Sequence, residues 1–87
     1  MINIDELKKK IIYRSNYRGT KEMDKLLGAF ARKYINDLSD NDLIKLEKLL
    51  NIDDSNLYNF LNDLDTDVVI EKNNVTDLFK NFEYVDK

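Results

Sequence analysis

Seven consecutive residues, Arg18-Gly19-Thr20-Lys21-Glu22-Met23-Asp24, concentrate what this sequence offers for recognition chemistry. They place one guanidinium, one position without a side chain and two carboxylates within a short stretch of chain. A guanidinium grips carboxylates and carbonyls through a planar fork of donors. A glycine lets a second backbone approach closely. Catalysis is harder to place. The chain has no histidine and no cysteine, which removes the commonest general base, any thiol nucleophile and the usual zinc ligands. Ser15, Ser39 and Ser55 therefore have no imidazole to activate them. Glu22 and Asp24 could serve an acid-based hydrolase only with a concave pocket between them, which a thin bundle seldom offers.

Two further constellations fail on spacing. Asp63, Asp65 and Asp67 imitate the start of a calcium loop, but Val68 stands where the turn needs glycine and Asn74 where a bidentate Glu belongs. They read as acidic caps around a helix joint. The two glycines, Gly19 and Gly28, are too far apart to build a phosphate-cradling loop.

The elements that must position these residues are helices. The chain of 87 residues has no proline, and apolar types make up 43% of it, enough for one small core. Ile4, Leu7 and Ile11 predict a first helix over about residues 4–16. Met23, Leu26, Leu27, Phe30 and Tyr34 form the clearest amphipathic stripe and predict a second. Ser39 is a good N-cap for a third, marked by Leu43, Leu46, Leu49 and Leu50. Asp53 and Asp54 supply caps for a fourth, whose Leu57, Phe60, Leu61 and Leu64 repeat at helical spacing. Val68, Val75, Leu78, Phe79 and Phe82 fit a fifth, although Val68-Val69-Ile70 could instead be a short strand. Joints at about 16–20, 36–39, 51–54 and 63–66 are short, as in a small bundle. The expectation is an all-α single domain over residues 1–87 with about five helices, fraying from Tyr84 to Lys87.

Charge is divided along the chain. Residues 1–36 hold nine Lys/Arg against four Asp/Glu, and residues 37–87 hold five against thirteen. The basic half invites a nucleic-acid interface. The plainer account is that two oppositely charged halves of one bundle attract each other, with the net charge of −3 favouring solubility. The longest apolar run, Leu26 to Ala31, is far short of the roughly 20 residues of a membrane span. The first residues carry acids where a signal or transit peptide carries bases, so a cytoplasmic protein is expected.

The Arg18–Asp24 cluster has two readings. Structurally, Gly19 relieves a tight joint between helices 1 and 2, and Glu22 and Asp24 favour the positive end of helix 2. That account leaves Arg18 without a task. Functionally, the same residues form a protruding turn suited to docking into a protein cleft.

The order Arg14…Arg18-Gly19-x-x-Glu22-x-Asp24 resembles the R-G-x-x-E-x-D signature of the succinate dehydrogenase assembly factor 2 family, also called FAD assembly factors. Leu26-Leu27, Phe30-Ala31, Tyr34, Leu38-Ser39 and Leu49-Leu50 fall where that family places its helix 2 and helix 3 core. Asp53-Asp54 followed by Leu57-Tyr58-x-Phe60-Leu61 is similar to its acidic turn and following aromatic pair. The likeness covers about residues 11–64. Tyr17 stands where members often carry a second Arg, and Phe60 where many carry Trp.

The resemblance implies a non-enzymatic assembly factor with a five-helix fold. It would bind the flavoprotein subunit of succinate dehydrogenase, or of fumarate reductase, and promote covalent attachment of FAD to a histidine of that subunit. Arg18, Gly19, Glu22 and Asp24 carry over as the docking surface, flanked by Arg14 and Tyr17. No stably bound cofactor, nucleic acid or membrane insertion is implied, and the free protein is expected to be monomeric. The competing expectation is a small nucleic-acid-binding module using Lys8, Lys9, Lys10, Arg14 and Arg18, with steep salt dependence.

Overall fold

Five helices order residues 3–83, the part of the chain described by the computed structural model: α1 (Ile4–Asn16), α2 (Lys21–Tyr34), α3 (Asp40–Leu50), α4 (Asp54–Leu61) and α5 (Asn74–Asn81). Each begins where a short polar side chain can take up a free backbone N–H of the first turn. Asn3, Thr20, Ser39, Asp53 and Asn73 are the five N-caps. Asn73 and Thr76 complete a reciprocal capping box at α5. The expected starts of α1, α3 and α4 are thus met residue for residue. Among the described residues there is no strand, and no helix is long and apolar enough to cross a membrane.

The core lies where α1 packs on α2 and α3, with α5 laid against α3. Ile11, Leu27, Phe30, Leu43, Leu46, Leu57, Val75 and Phe79 are wholly enclosed. Phe30 is its aromatic centre, 5.3 Å from the Phe79 ring in an edge-on contact, with Tyr34 and Phe82 against its other sides. Gly28 of α2 faces the end of α1. A Cβ there would lie 2.6 Å from Asn16 Oδ1, and Asn16 is itself held by Ile12 O and the Arg32 guanidinium.

The C-terminal part departs from the expected pattern. Leu64 does not extend the apolar face of α4. The helix is closed by Asp63 in the left-handed region (φ 57°), with Leu64 N–H donating back to Asn59 O at 2.8 Å. Asp63 tolerates that conformation without a glycine's freedom, and Leu64 emerges 55% exposed. The joint that follows is not short: it runs over 62–73. Val68-Val69-Ile70 is neither helix nor strand. Three β-branched residues favour extended chain over helix, and no neighbouring strand pairs with them. Asn56 anchors the segment by accepting from Asp67 N–H at 2.7 Å, while Val69 stands 99% exposed. The expected fraying from Tyr84 to Lys87 falls outside the described residues.

Candidate functional site

The joint between α1 and α2 takes its shape from Arg18. Its side chain turns inward and is only 9% exposed. Nε donates to Asp54 Oδ1 at 2.8 Å, one terminal nitrogen donates to Leu50 O at 2.6 Å, and the other to Ile52 O. Leu50 and Ile52 offer carbonyls left free at the end of α3, where a cation also meets the negative end of the helix dipole. One guanidinium therefore closes α3, holds the start of α4 and fixes the turn before α2. The task that sequence reasoning could not find for Arg18 is internal bracing, and its guanidinium is not presented on a protruding turn.

The neighbouring residues complete the brace. Arg18 N–H donates to the Asp24 carboxylate, so Asp24 folds the turn back on the first turn of α2. Thr20 caps α2 through its hydroxyl, and its own N–H donates to Asp54 Oδ2 at 3.0 Å. Asp54 thus receives both the turn's guanidinium and its backbone. Sequence reasoning assigned Asp54 as one of two caps and as part of an acidic turn, without linking it to Arg18. The signal was present in the pair itself, since Asp53 alone caps α4 and leaves the second carboxylate free for Arg18. Hydrogen bonding, chiefly from the Asn56 side chain, holds Asp53 below the usual carboxylate range.

The exposed residues of the turn are Tyr17, Gly19, Thr20, Lys21 and Glu22. Gly19 is exposed and its φ is not positive, so its value lies in the missing side chain and not in a strained backbone. A Cβ there would come within 3.3 Å of Asp54 Oδ2. Glu22 is exposed, with no ion pair or hydrogen bond among the described residues. Tyr17, 71% exposed, lies against the similarly open Tyr13 with ring centroids 4.6 Å apart and the rings tilted by 35°. Arg14 is half-buried behind the turn and reaches Leu50 O only at 3.5 Å.

The basic half of the chain is partly committed internally. Lys10 pairs with Glu47 at 3.0 Å and Arg18 with Asp54, both across the division between basic and acidic halves. Lys8 reaches Asn36. The attraction expected between the two halves is thus made in specific pairs. Of the five cations in the nucleic-acid reading, Lys10 and Arg18 already hold carboxylates.

Beside the turn lies a groove of about 430 Å³ between α2 and α4. It continues around Thr20 and Asp54 into a shallower depression at Tyr17, Arg18 and Gly19. No motif announced this groove, because its walls come from two helices separated in sequence.

Comparison with known proteins gives this geometry a lineage. The family model described as "Flavinator of succinate dehydrogenase" matches residues 9–83. Succinate dehydrogenase assembly factor 2, mitochondrial, of Dictyostelium discoideum is 38% identical over 58 residues, covering 67% of this chain and 41% of that protein. Its namesake in Meyerozyma guilliermondii is 39% identical over 51 residues, 59% of this chain and 38% of the relative. In Danio rerio the identity is 30% over 81 residues, 91% of this chain and 51% of the relative. The chain thus spans about two fifths to one half of the length of these curated relatives. No solved structure matches it. The family match runs through the braced turn, the groove and all but the first turns of α1, and on that extent the chain belongs to the succinate dehydrogenase assembly factor 2 family.

Proposed function

We propose that this protein binds the flavoprotein subunit of succinate dehydrogenase, or of fumarate reductase, and promotes covalent attachment of FAD to it. The observation that carries the reading is the Gly19 turn, exposed, without a side chain, and held from beneath by the buried Arg18 guanidinium. A rigid turn without a side chain loses little on docking and permits close backbone approach. Gly19, Glu22 and Tyr17 form the contact face in this reading. Arg18 and Asp24 hold its shape, and Arg14 supports it from behind.

The factor is not an enzyme in this reading. The bond to FAD forms within the flavoprotein, and the factor contributes by holding the reacting groups of its partner in position, a proximity effect. It needs no histidine of its own and retains no cofactor. The free protein is a monomer. The compartment proposed is the cytoplasm, whereas the curated relatives are named as mitochondrial proteins; fractionation of the native host decides between them.

Complementation of a strain lacking its own factor tests the reading, scored by in-gel flavin fluorescence of the flavoprotein. Gly19→Arg should abolish flavinylation while circular dichroism shows an intact helical protein. Glu22→Ala, which removes no hydrogen bond of the fold, should reduce flavinylation more mildly. Full flavinylation by both variants would sink the docking assignment.

A further inference from the structure

The groove between α2 and α4 has a chemistry of its own. Its walls are apolar, built from Met23, Leu26, Tyr58 and Leu61, and its two carboxylates are Glu22 and Asp54. No Lys or Arg side chain lines it among the described residues. The carboxylates are not equivalent. Asp54 is balanced by Arg18 and further satisfied by the N–H of Thr20. Glu22 has neither a cation nor a donor among the described residues. The groove therefore combines an apolar trough with one unbalanced negative charge, beside a turn that is bare at Gly19.

We propose that this groove receives an arginine side chain of the partner protein. The proposal rests on the docking reading above and specifies the chemistry of its contact. The methylene stem of an arginine lies favourably along Met23, Leu26 and Leu61, with the charged head kept at the wetter end. Tyr58 is 59% exposed and offers a ring face for the guanidinium plane. Glu22 then supplies a carboxylate that the guanidinium can meet with two parallel hydrogen bonds. A lysine would satisfy the charge but neither the stacking nor the paired donors. Glu22 stays at the surface, so the pair escapes the desolvation penalty of a buried one.

Two measurements on the full chain test this. In the first, the methyl resonances of Met23, Leu26 and Leu61 are followed while acetyl-arginine amide is added, with acetyl-citrulline amide as the neutral isostere. The arginine probe should shift these methyls, and citrulline, or arginine with the Glu22→Gln variant, should do so at least tenfold more weakly. In the second, the purified flavoprotein subunit is titrated by calorimetry with the wild-type chain and with Glu22→Gln, expecting about a tenfold loss of affinity in the variant. Equal shifts with arginine and citrulline, or arginine shifts indifferent to Glu22→Gln, overturn the arginine. Unchanged flavoprotein affinity in Glu22→Gln overturns it too, while leaving docking at Gly19 intact. If the flavoprotein binds neither chain, the docking reading fails and the methyl titration alone decides what the groove accepts.

Discussion

The Arg18 guanidinium and the Asp54 carboxylate meet at 2.8 Å, fastening the turn before α2 to the first residue of α4 across 36 residues of chain. Both side chains are nearly enclosed, at 9% and 15% exposure. Removing one partner of such a pair leaves the other charge stranded, which costs more than the net worth of the pair. Arg18→Ala should lower unfolding stability by about 3 kcal/mol, since it also frees the carbonyls of Leu50 and Ile52. Arg18→Lys, which keeps the charge but not the fork, should fall between. Urea denaturation of the three proteins checks this; an Arg18→Ala midpoint equal to wild type would show that the brace contributes nothing.

Phe60 lies at the expected spacing on α4, but it is only half-buried, with Lys80 Nζ 5.4 Å from its ring centroid. The rings that fill the core are Phe30 and Phe79, both fully enclosed. Phe79→Ala and Phe30→Ala should each cost about 3–5 kcal/mol, and Phe60→Ala about half as much. Thermal melts rank the three; a larger loss at Phe60 would contradict this assignment of the core.

Gly28 opposes two effects at one site. An alanine there would gain about 1 kcal/mol of helix propensity, but its Cβ would press on Asn16 Oδ1. Asn16 cannot swing away without giving up Ile12 O and Arg32. Gly28→Ala should therefore be net destabilising in the wild-type background. Combined with Asn16→Ala, which removes the obstructing oxygen, it should become stabilising. A double-mutant cycle reads the coupling directly, and additivity of the two changes would refute the contact.

Acid should weaken the fold through three carboxylates held below their ordinary range. Asp42 is lowered chiefly by the Asn74 side chain, Asp53 by Asn56, and Asp63 by its hydrogen bond to Lys80. With the native pKa below the unfolded one, the unfolded chain takes up protons first as pH falls. Their contribution is complete above about pH 4 and is lost as pH drops through the native values. The melting temperature should hold from about pH 7 to about pH 5 and decline below about pH 4. Asp63→Asn should flatten that decline; an identical acid profile would exclude the Lys80 pair as a contributor.

Much of this architecture is written in local signals. The apolar stripe from Met23 to Tyr34 and the caps at Ser39 and Asp53 act over three or four residues, so spacing alone reveals them. The site is legible in a different degree. Arg18, Gly19, Glu22 and Asp24 are marked as a cluster by type, but their division into bracing and presenting residues depends on Asp54, Leu50 and Ile52, more than 30 positions away. The groove is less legible still, because Leu26 and Leu61 read as ordinary core positions until the fold sets them on the two walls of one cavity. The segment after α4 is less legible because Val68 joins the apolar stripe of α5 by its spacing to Val75, although that helix begins only at Asn74.

The partners of the Arg18 side chain are all made 32 to 36 residues after it. During synthesis, α1 and α2 therefore leave the ribosome with their connecting turn shaped only by the local contacts of Asp24 and Thr20, since neither the carbonyls nor the carboxylate that hold the Arg18 side chain yet exist outside the exit tunnel. The bare glycine acquires its final orientation only once α3 has closed on α1 and Asp54 has arrived. A nascent chain thus carries the residues of the proposed docking face without its shape, and only the finished molecule can offer that face.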